Sequence, residues 1–312
     1  MKRSEEIKRH EHKVFKGLAF VEEEDGEWQQ VGRARIYVKD DGPKPLMEGS
    51  FDILGDHHHV QLRSSYSKMR RRSDIAVRDR EEESMIVYRD SDMVVNEAKR
   101  DTSDTPKCGA DDLPFNIQAG VLPRSASVGS FYSPSKRQRQ SGNIGTGNLV
   151  ASIGDVTGCP TDARVALVGI ATDCGYTAVF RDDEEALRRN LIAMVNSASD
   201  AYEATMNIAI GLRNLTISDA ACPTSTSTSS PWNIPCSQGD IESRLTSFSQ
   251  WRGQLGDDNA YWTMMSTCAT GSSVGLAWLG QLCVSTLTGY GQQSVSGANV
   301  VVRTQGEWQV FA

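Results

Sequence analysis

At 312 residues and 34.2 kDa the chain is long enough for two domains, each with its own core. A net charge of −7 and an isoelectric point near 5.4 argue against a nucleic-acid binder held by phosphate contacts. No apolar run approaches the ~20 residues of a membrane helix, and "MKRSEEIKRHEHKVFKGLAFVEEE" has the basic flank of a signal peptide without its apolar stretch, so no export address is expected within the chain.

The front half reads as short strands joined by turns. "RARIYVKDDG" alternates Ala34, Ile36 and Val38 with polar residues and then meets Gly42 and Pro43, a strand and a turn. "GSFDILGDHHHVQL" repeats the pattern. Its run His57, His58 and His59 invites a metal reading, but neighbours on a strand point to opposite faces, so three in a row converge poorly. "KMRRRSD" is basic and is followed by the acidic "DREEES", a solvated, charge-mixed segment rather than a nucleic-acid patch.

Charge marks a boundary further on. Residues 141–312 hold no lysine, eight arginines and fifteen acids, net −7, while residues 1–140 balance 25 bases against 25 acids. The change falls in "SPSKRQRQSGNIGTGN", residues 133–148, whose Pro, Ser, Gly and basic residues read as an exposed linker. Its cluster Lys136, Arg137 and Arg139 is either a solvated loop or a site a processing protease would cut.

Beyond the linker, strands alternate with helices. "ARVALVGIATD" has strand length; "RDDEEALRRNLIAMVNSASDAYEA" then puts Leu187, Leu191, Val195, Ala198 and Tyr202 on one helical face. Asp182, Asp183, Glu184 and Glu185 at its start suit the positive end of the helix dipole, and Glu184–Arg188 and Glu185–Arg189 are i,i+4 pairs. These acids read as helix electrostatics, not catalytic carboxylates. "MNIAIGLRNLTI" is the next strand. "GDIESRLTSFSQWRGQL" follows as a helix with Ile241, Leu245, Phe248 and Trp251 at helical spacing and Asp240 as its cap. "YWTMMST", "VGLAWLG" and "NVVVR" are strands, so the order indicates an α/β mixed sheet with flanking helices. Thr304 and Glu307 then form the T-x-x-E start of a helix carrying Trp308, Val310, Phe311 and Ala312.

Of seven cysteines, Cys108 stands in the front half and Cys159, Cys174, Cys222, Cys236, Cys268 and Cys283 in the back. No C-x-x-C spacing occurs, so an even set beside turns suggests disulfides and an oxidising compartment, with buried free thiols as the alternative. The sequon Asn214-Leu215-Thr216 agrees with the first.

Three catalytic motifs fail. Gly271-Ser272-Ser273-Val274-Gly275 matches G-x-S-x-G, but all five histidines lie within residues 10–59, so no base follows Ser273. Gly145-Thr146-Gly147 lacks the third glycine and the preceding strand of a dinucleotide loop. A catalytic zinc finds no imidazole between residues 60 and 312.

"VALVGIATDC", "ANVVVRTQGEWQVFA" and above all "CATGSSVGLAWLGQLC" at 268–283 resemble the first part of an ADAM-type (adamalysin or reprolysin) zinc metalloprotease domain, most like the fungal branch. "EGSFDILGDHHHVQL" and "KCGADDLPFN" resemble that family's propeptide. The resemblance implies a β-rich propeptide over 1–140 and the N-terminal part of a metzincin-like catalytic domain over 141–312. It implies zinc as cofactor, protein or peptide substrates, a secreted or cell-surface location, and no nucleic-acid partner. The family's H-E-x-x-H-x-x-G-x-x-H motif, three zinc ligands and a glutamate base, is absent; the chain stops where it is expected to begin. The expectation is therefore a fragment of a secreted zymogen, inactive as written and without a zinc site of its own. The alternative is a non-catalytic protein-binding module or decoy of a full-length protease.

Site by site, the resemblance makes Cys108 a latency thiol that would fill the zinc's open position, and Gly275, Leu276, Ala277 and Trp278 the sheet's edge strand beside the cleft. Leu276 and Trp278 also suit an ordinary core strand. For the disulfides, pairing of sequence neighbours is expected, Cys159–Cys174, Cys222–Cys236 and Cys268–Cys283, each closing a short loop worth roughly 3 kcal/mol in the chain-entropy model.

Overall fold

A computed structural model describes residues 5–8, 11, 13–70, 75–78, 82–89, 92, 107–108, 110, 113–118, 161–181, 183–270, 273–304 and 311. After a two-residue strand β1 (Glu5–Glu6), the front half folds as a five-stranded antiparallel meander. Its strands are β2 (Val14–Glu22), β3 (Trp28–Asp40), β4 (Leu46–Ile53), β5 (Asp56–Leu62) and β6 (Met85–Arg89), in that order across the sheet. The tight turn between β4 and β5 is Leu54-Gly55, both at positive φ (51° and 87°), as a two-residue hairpin with right-handed strand twist requires. Helix α1 (Arg63–Met69) leads from β5 towards β6, and the short β7 (Lys107–Cys108) and α2 (Pro114–Gln118) complete the described front half.

The back half comprises β8 (Arg164–Thr172), α3 (Cys174–Val179), α4 (Glu184–Met206), β9 (Ile208–Ile217), α5 (Ile241–Arg252), β10 (Tyr261–Ser266), β11 (Ser273–Ala277), the hairpin β12 (Thr288–Tyr290) and β13 (Gln293–Val295), and β14 (Ala298–Val302). Its sheet has the order β1-β9-β8-β10-β14-β11-β7. The four strands β9, β8, β10 and β14 run parallel; β11 is antiparallel to β14 and β1 antiparallel to β9. This is the mixed α/β sheet expected from the alternation of strand and helix patterns.

Both long helices start where expected. Asp183 caps α4 by accepting from the Ala186 amide, and Asp240 caps α5 by accepting from the Ser243 amide. Asn207, at φ 55°, ends α4 in the left-handed conformation that asparagine tolerates. Leu187, Leu191, Val195 and Ala198 of α4 bury against Val168, Ile170, Leu212 and Met265 on one sheet face, with Phe311 in the same core. On the other face α5 packs Leu245, Phe248 and Trp251 against Trp232 and Trp262. Trp262 lies so close to β8 that a Cβ on Gly169 would come within 2.2 Å of its ring. A glycine is needed there for packing, not for conformation.

The sheet of the back half takes in strands from the front half. The front half donates β1 to one edge of the back sheet and β7 to the other. The linker 133–148, with Lys136, Arg137 and Arg139, lies outside the described residues, as do Cys159 and most of the terminal segment after Thr304. Of the two i,i+4 pairs, Glu185–Arg189 forms at 2.7 Å, while Arg188 reaches across to Glu5 (3.3 Å) and Glu11 (3.2 Å) of the front half.

The meander covers the outward face of α4 through polar groups. Arg35 is 7% exposed and sits between Asp200 and Glu203, at 3.1 Å from each; Arg33 reaches Asp200 at 2.9 Å and Lys16 reaches Glu203 at 3.1 Å. Ser50 and Ser197 share a hydrogen bond of 3.0 Å, and Lys68 pairs with Asp183. Burial alone would raise the Glu203 pKa, but hydrogen bonds from Arg35 and Lys16 and their charges hold it at about 2. A carboxylate held below its usual 4.5 contributes stability above that pH and loses it as the pH falls towards 2. Glu203→Gln is therefore expected to lower stability at pH 7 by about 2 kcal/mol. The difference from wild type should shrink as the pH falls from 4.5 towards 2. Urea unfolding followed by circular dichroism at pH 7, 4 and 3 measures both.

Candidate functional site

Parallel strands all end on the same side of a sheet, and there the back half gathers a buried ion pair and both disulfides. β8 ends at Asp173, which is fully buried and caps α3 by accepting from the Tyr176 amide. The Ser266 hydroxyl, at the end of β10, donates to the same carboxylate. Arg244 of α5, also fully buried, stands 3.5 Å away. Burial pushes the Asp173 pKa up, opposed by the Ser266 and Tyr176 hydrogen bonds and the Arg244 charge; burial likewise lowers the Arg244 pKa, opposed by Asp173. The rest of the guanidinium donates to the carbonyls of Ile234 (3.1 Å), Pro235 (2.7 Å) and Gln238 (3.3 Å), pinning the loop before α5 to the sheet. Trp232 buries in the α5 core from that loop, and Asn233 accepts from the Cys174 amide at 2.8 Å.

The disulfides follow strand ends, which overturns the pairing of sequence neighbours. Cys174, after β8, bonds Cys222, after β9; Cys236, before α5, bonds Cys268, after β10. Neither Cys222–Cys236 nor Cys268–Cys283 forms, Cys174 is not joined to Cys159, and Cys283 is a free, exposed thiol. Consecutive parallel strands are joined by crossovers, so residues distant in sequence meet at their ends. The loops closed span 48 and 32 residues, worth roughly 4 kcal/mol each in the chain-entropy model, more than short loops would give.

The strand expected at the sheet edge is not at the edge. β11 covers Ser273–Ala277, with Trp278 just beyond it, and is paired on both sides. Gly275 faces Val301 of β14 and Cys108 of β7, and Ser273 faces Lys107. The pairing continues through a side chain. Asn116, fully buried, donates from Nδ2 to the Ala277 carbonyl (3.0 Å) and the Ala110 carbonyl (2.7 Å), and its Oδ1 accepts from the Leu279 amide (2.9 Å). An amide side chain thus stands where the next peptide unit of a strand would stand. Leu276 and Trp278 are core residues: each is 4% exposed, and the Trp278 indole donates to Ser249 of α5 at 2.7 Å. Only the backbone of this strand is available for pairing. Asn116 escaped the sequence reading because a single asparagine carries no periodic signal; its place in "KCGADDLPFN" was the available hint.

The histidine run does not converge. His57 and His59 share one face of β5, with ring centroids 4.9 Å apart, while His58 stacks on Phe51 from the other. His57 Nδ1 engages Asp52 at 2.8 Å, and His58 Nδ1 engages the Asp56 carbonyl at 2.9 Å. Among the described residues no group of three or more His, Cys, Asp or Glu side chains is arranged to hold a metal. These residues do not fit a catalytic zinc, and no hydrolytic step is drawn through them. Asn214 of the sequon lies within β9 and accepts from Asn259 at 2.9 Å, with Thr216 fully buried. Among the described residues no helix is long and apolar enough to cross a membrane.

The back half is a mixed sheet flanked by α4 and α5, with disulfides tying its strand ends. Residues 161–312 match Metallo-peptidase family M12 in its reprolysin form, and this part of the chain belongs to that family. Over 99% of its length the chain is 51% identical to the disintegrin and metalloproteinase domain-containing protein B of Aspergillus fumigatus. It is 38% identical over 99% of its length to the protein of the same description from Arthroderma otae, and 37% to that from Trichophyton verrucosum. The chain spans 42% of the length of each of these relatives.

Non-reducing peptide mapping should recover Cys174–Cys222 and Cys236–Cys268 linked peptides. Recovery of a Cys222–Cys236 peptide would show the loop before α5 to be wrongly placed.

Proposed function

We propose that the chain is the pro-region and the first part of the catalytic domain of a secreted zinc metalloendopeptidase zymogen, with the segment around β7 holding the substrate-binding strand in a latent state. The observation that carries this reading is that Lys107 and Cys108 pair with β11 by their backbones and Asn116 bonds the backbone at and beyond its end. They occupy, within the same chain, backbone positions that an extended peptide would take by strand addition. Cys108 pairs by its backbone with Gly275, which supports the latency role proposed for it. Cleavage among Lys136, Arg137 and Arg139 would sever the pro-region and free β11 for a peptide or protein substrate. The zinc, when present, supplies the Lewis acid of peptide hydrolysis in this family; residues 60–312 contribute no histidine towards it. A secreted or surface location accords with the two disulfides. A glycan at Asn214 belongs to the same reading; it would sit on Nδ2, since Oδ1 is taken by Asn259.

Three measurements test this reading. Secreted protein should show a new N-terminus between residues 137 and 145, read by mass spectrometry; its absence would remove the processing step. Purified residues 1–312 should cleave no denatured protein in a zinc-dependent, chelator-sensitive way, whereas a chain extended through the family's zinc motif should do so after processing. Asn116→Leu, which removes both strand-like contacts to Ala277 and Leu279, should speed hydrogen exchange of the β11 amides at least tenfold. Unchanged exchange would mean that the segment is not what holds the strand.

A further inference from the structure

The opposite edge of the seven-stranded sheet carries a second bound strand with chemistry of its own. β1 pairs with β9 through Glu5 opposite Leu215 and Glu6 opposite Asn214, and the Ile7 amide donates to the Arg213 carbonyl at 2.8 Å. Ile7 is 5% exposed and enters the α4 core, whereas Glu5 and Glu6 are exposed. Two cations flank the strand. Arg188 of α4 lies 3.3 Å from Glu5 and 3.2 Å from Glu11, and Arg213 of β9 lies 3.7 Å from Glu6. An open cleft of about 780 Å³ runs beside it between the N-terminal segment and the first turns of α4, where Arg188 and Arg189 stand with Glu184, Glu185, Tyr37 and Ile192. Arg189 is paired with Glu185, and Arg213 also meets Asp258, which leaves Arg188 as the main cation facing the strand. β9 also carries a bulge, since Leu212 and Asn214 pair with consecutive residues of β8 and Arg213 is the extra residue. Bulges re-aim side chains at sheet edges, and this one sets Arg213 beside the added strand.

We propose that the β9 edge is a strand-docking site, separate from β11, that takes an extended segment of another protein bearing two acidic residues followed by an aliphatic one. It rests on the reading that the pro-region separates from the back half, because in the intact chain β1 fills the site. The cis occupant shows what fits: backbone hydrogen bonds supply the pairing, the apolar pocket selects the aliphatic side chain, and Arg188 and Arg213 select the acids. The preference is for acid, not for any strand. A basic residue in place of Glu5 or Glu6 would meet an arginine directly. Tethered in the same chain, β1 competes at high effective concentration, so an outside segment gains access only when β1 is displaced.

The test uses the full chain and reads binding, not hydrolysis, so its failure is distinct from failure of the protease reading. A fluorescein-labelled peptide of residues 2–13, KRSEEIKRHEHK, is titrated by anisotropy against wild type and against Ile7→Asp, which expels the internal strand from its pocket. Ile7→Asp chain should bind the peptide at least tenfold more tightly than wild type. The peptide carrying its own Ile7→Asp change should lose that gain, and adding Arg188→Glu to the chain should weaken binding about tenfold. A peptide with lysine at positions 5 and 6 should then recover binding to the Arg188→Glu chain. Equal binding to wild type and Ile7→Asp, or equal binding of the altered and unaltered peptides, would overturn the proposal. Should circular dichroism show Ile7→Asp unfolded, Glu5→Lys with Glu6→Lys, at two exposed positions, replaces it with the same ranking expected.

Discussion

An open sheet leaves a row of unpaired amides and carbonyls along each edge, and the architecture of this chain turns on how those two rows are satisfied. Edges left bare invite pairing with other chains. Here the front half closes both of them, with β1 against β9 and β7 against β11. Neither closing strand exceeds two residues, so backbone pairing alone could not hold them. Each is secured by a buried neighbour, Ile7 in the α4 core and Asn116 on the backbone beyond β11. Among the described residues the front half thus meets the back half at both sheet edges, on one face of α4 and, through Leu113 and Phe115, at the α5 core.

The chemistry of these contacts differs from that of the cores they join. Inside the back half, α4 meets the sheet through Leu187, Leu191, Val195 and Ala198, and α5 meets it through an aromatic cluster. Across the meander, α4 presents Asp200, Glu203 and Ser197 to Arg35, Lys16 and Ser50. Polar groups buried in partnership are costly to leave unpaired within a dry interface, but water satisfies them well. A helix face of this composition is compatible with solvent once its cover is gone, as Leu and Val would not be. Apolar contacts accompany the polar ones: Ile7, Tyr37 and Val14 reach the α4 core, and Leu113 and Phe115 reach the α5 core.

Much of this frame was legible in the sequence, because it rests on periodicity. A 3.6-residue repeat from Leu187 to Ala198 places α4, with Asp183 and Asp240 marking two helix starts. Alternation from Ala34 to Val38 places β3. What failed to be legible is set by topology. Cysteine spacing suggests short loops, yet parallel strands bring Cys174 to Cys222 and Cys236 to Cys268. Two-residue strands have no period, so β1 and β7 were invisible and β11 was taken for an edge. Trp278 fits a cleft or a core equally well by type; only its indole hydrogen bond to Ser249 decides for the core.

Charge burial gives the strand ends their order. Asp173 and Arg244 are both fully buried, and their separation of 3.5 Å is a weak contact for such a costly pair. What makes the arrangement tolerable is the number of neutral partners: Ser266 and the Tyr176 amide for the carboxylate, three loop carbonyls for the guanidinium. The same groups fix the ends of β8 and β10, the start of α3 and the loop before α5 relative to one another. Both disulfides lie within this cluster, and Cys268 follows Ser266 by two residues. The ion pair and the crosslinks therefore act on one locus, the end of the parallel strands beside which β11 begins. Rigidity there positions the β11 backbone for the strand that pairs with it, Lys107–Cys108.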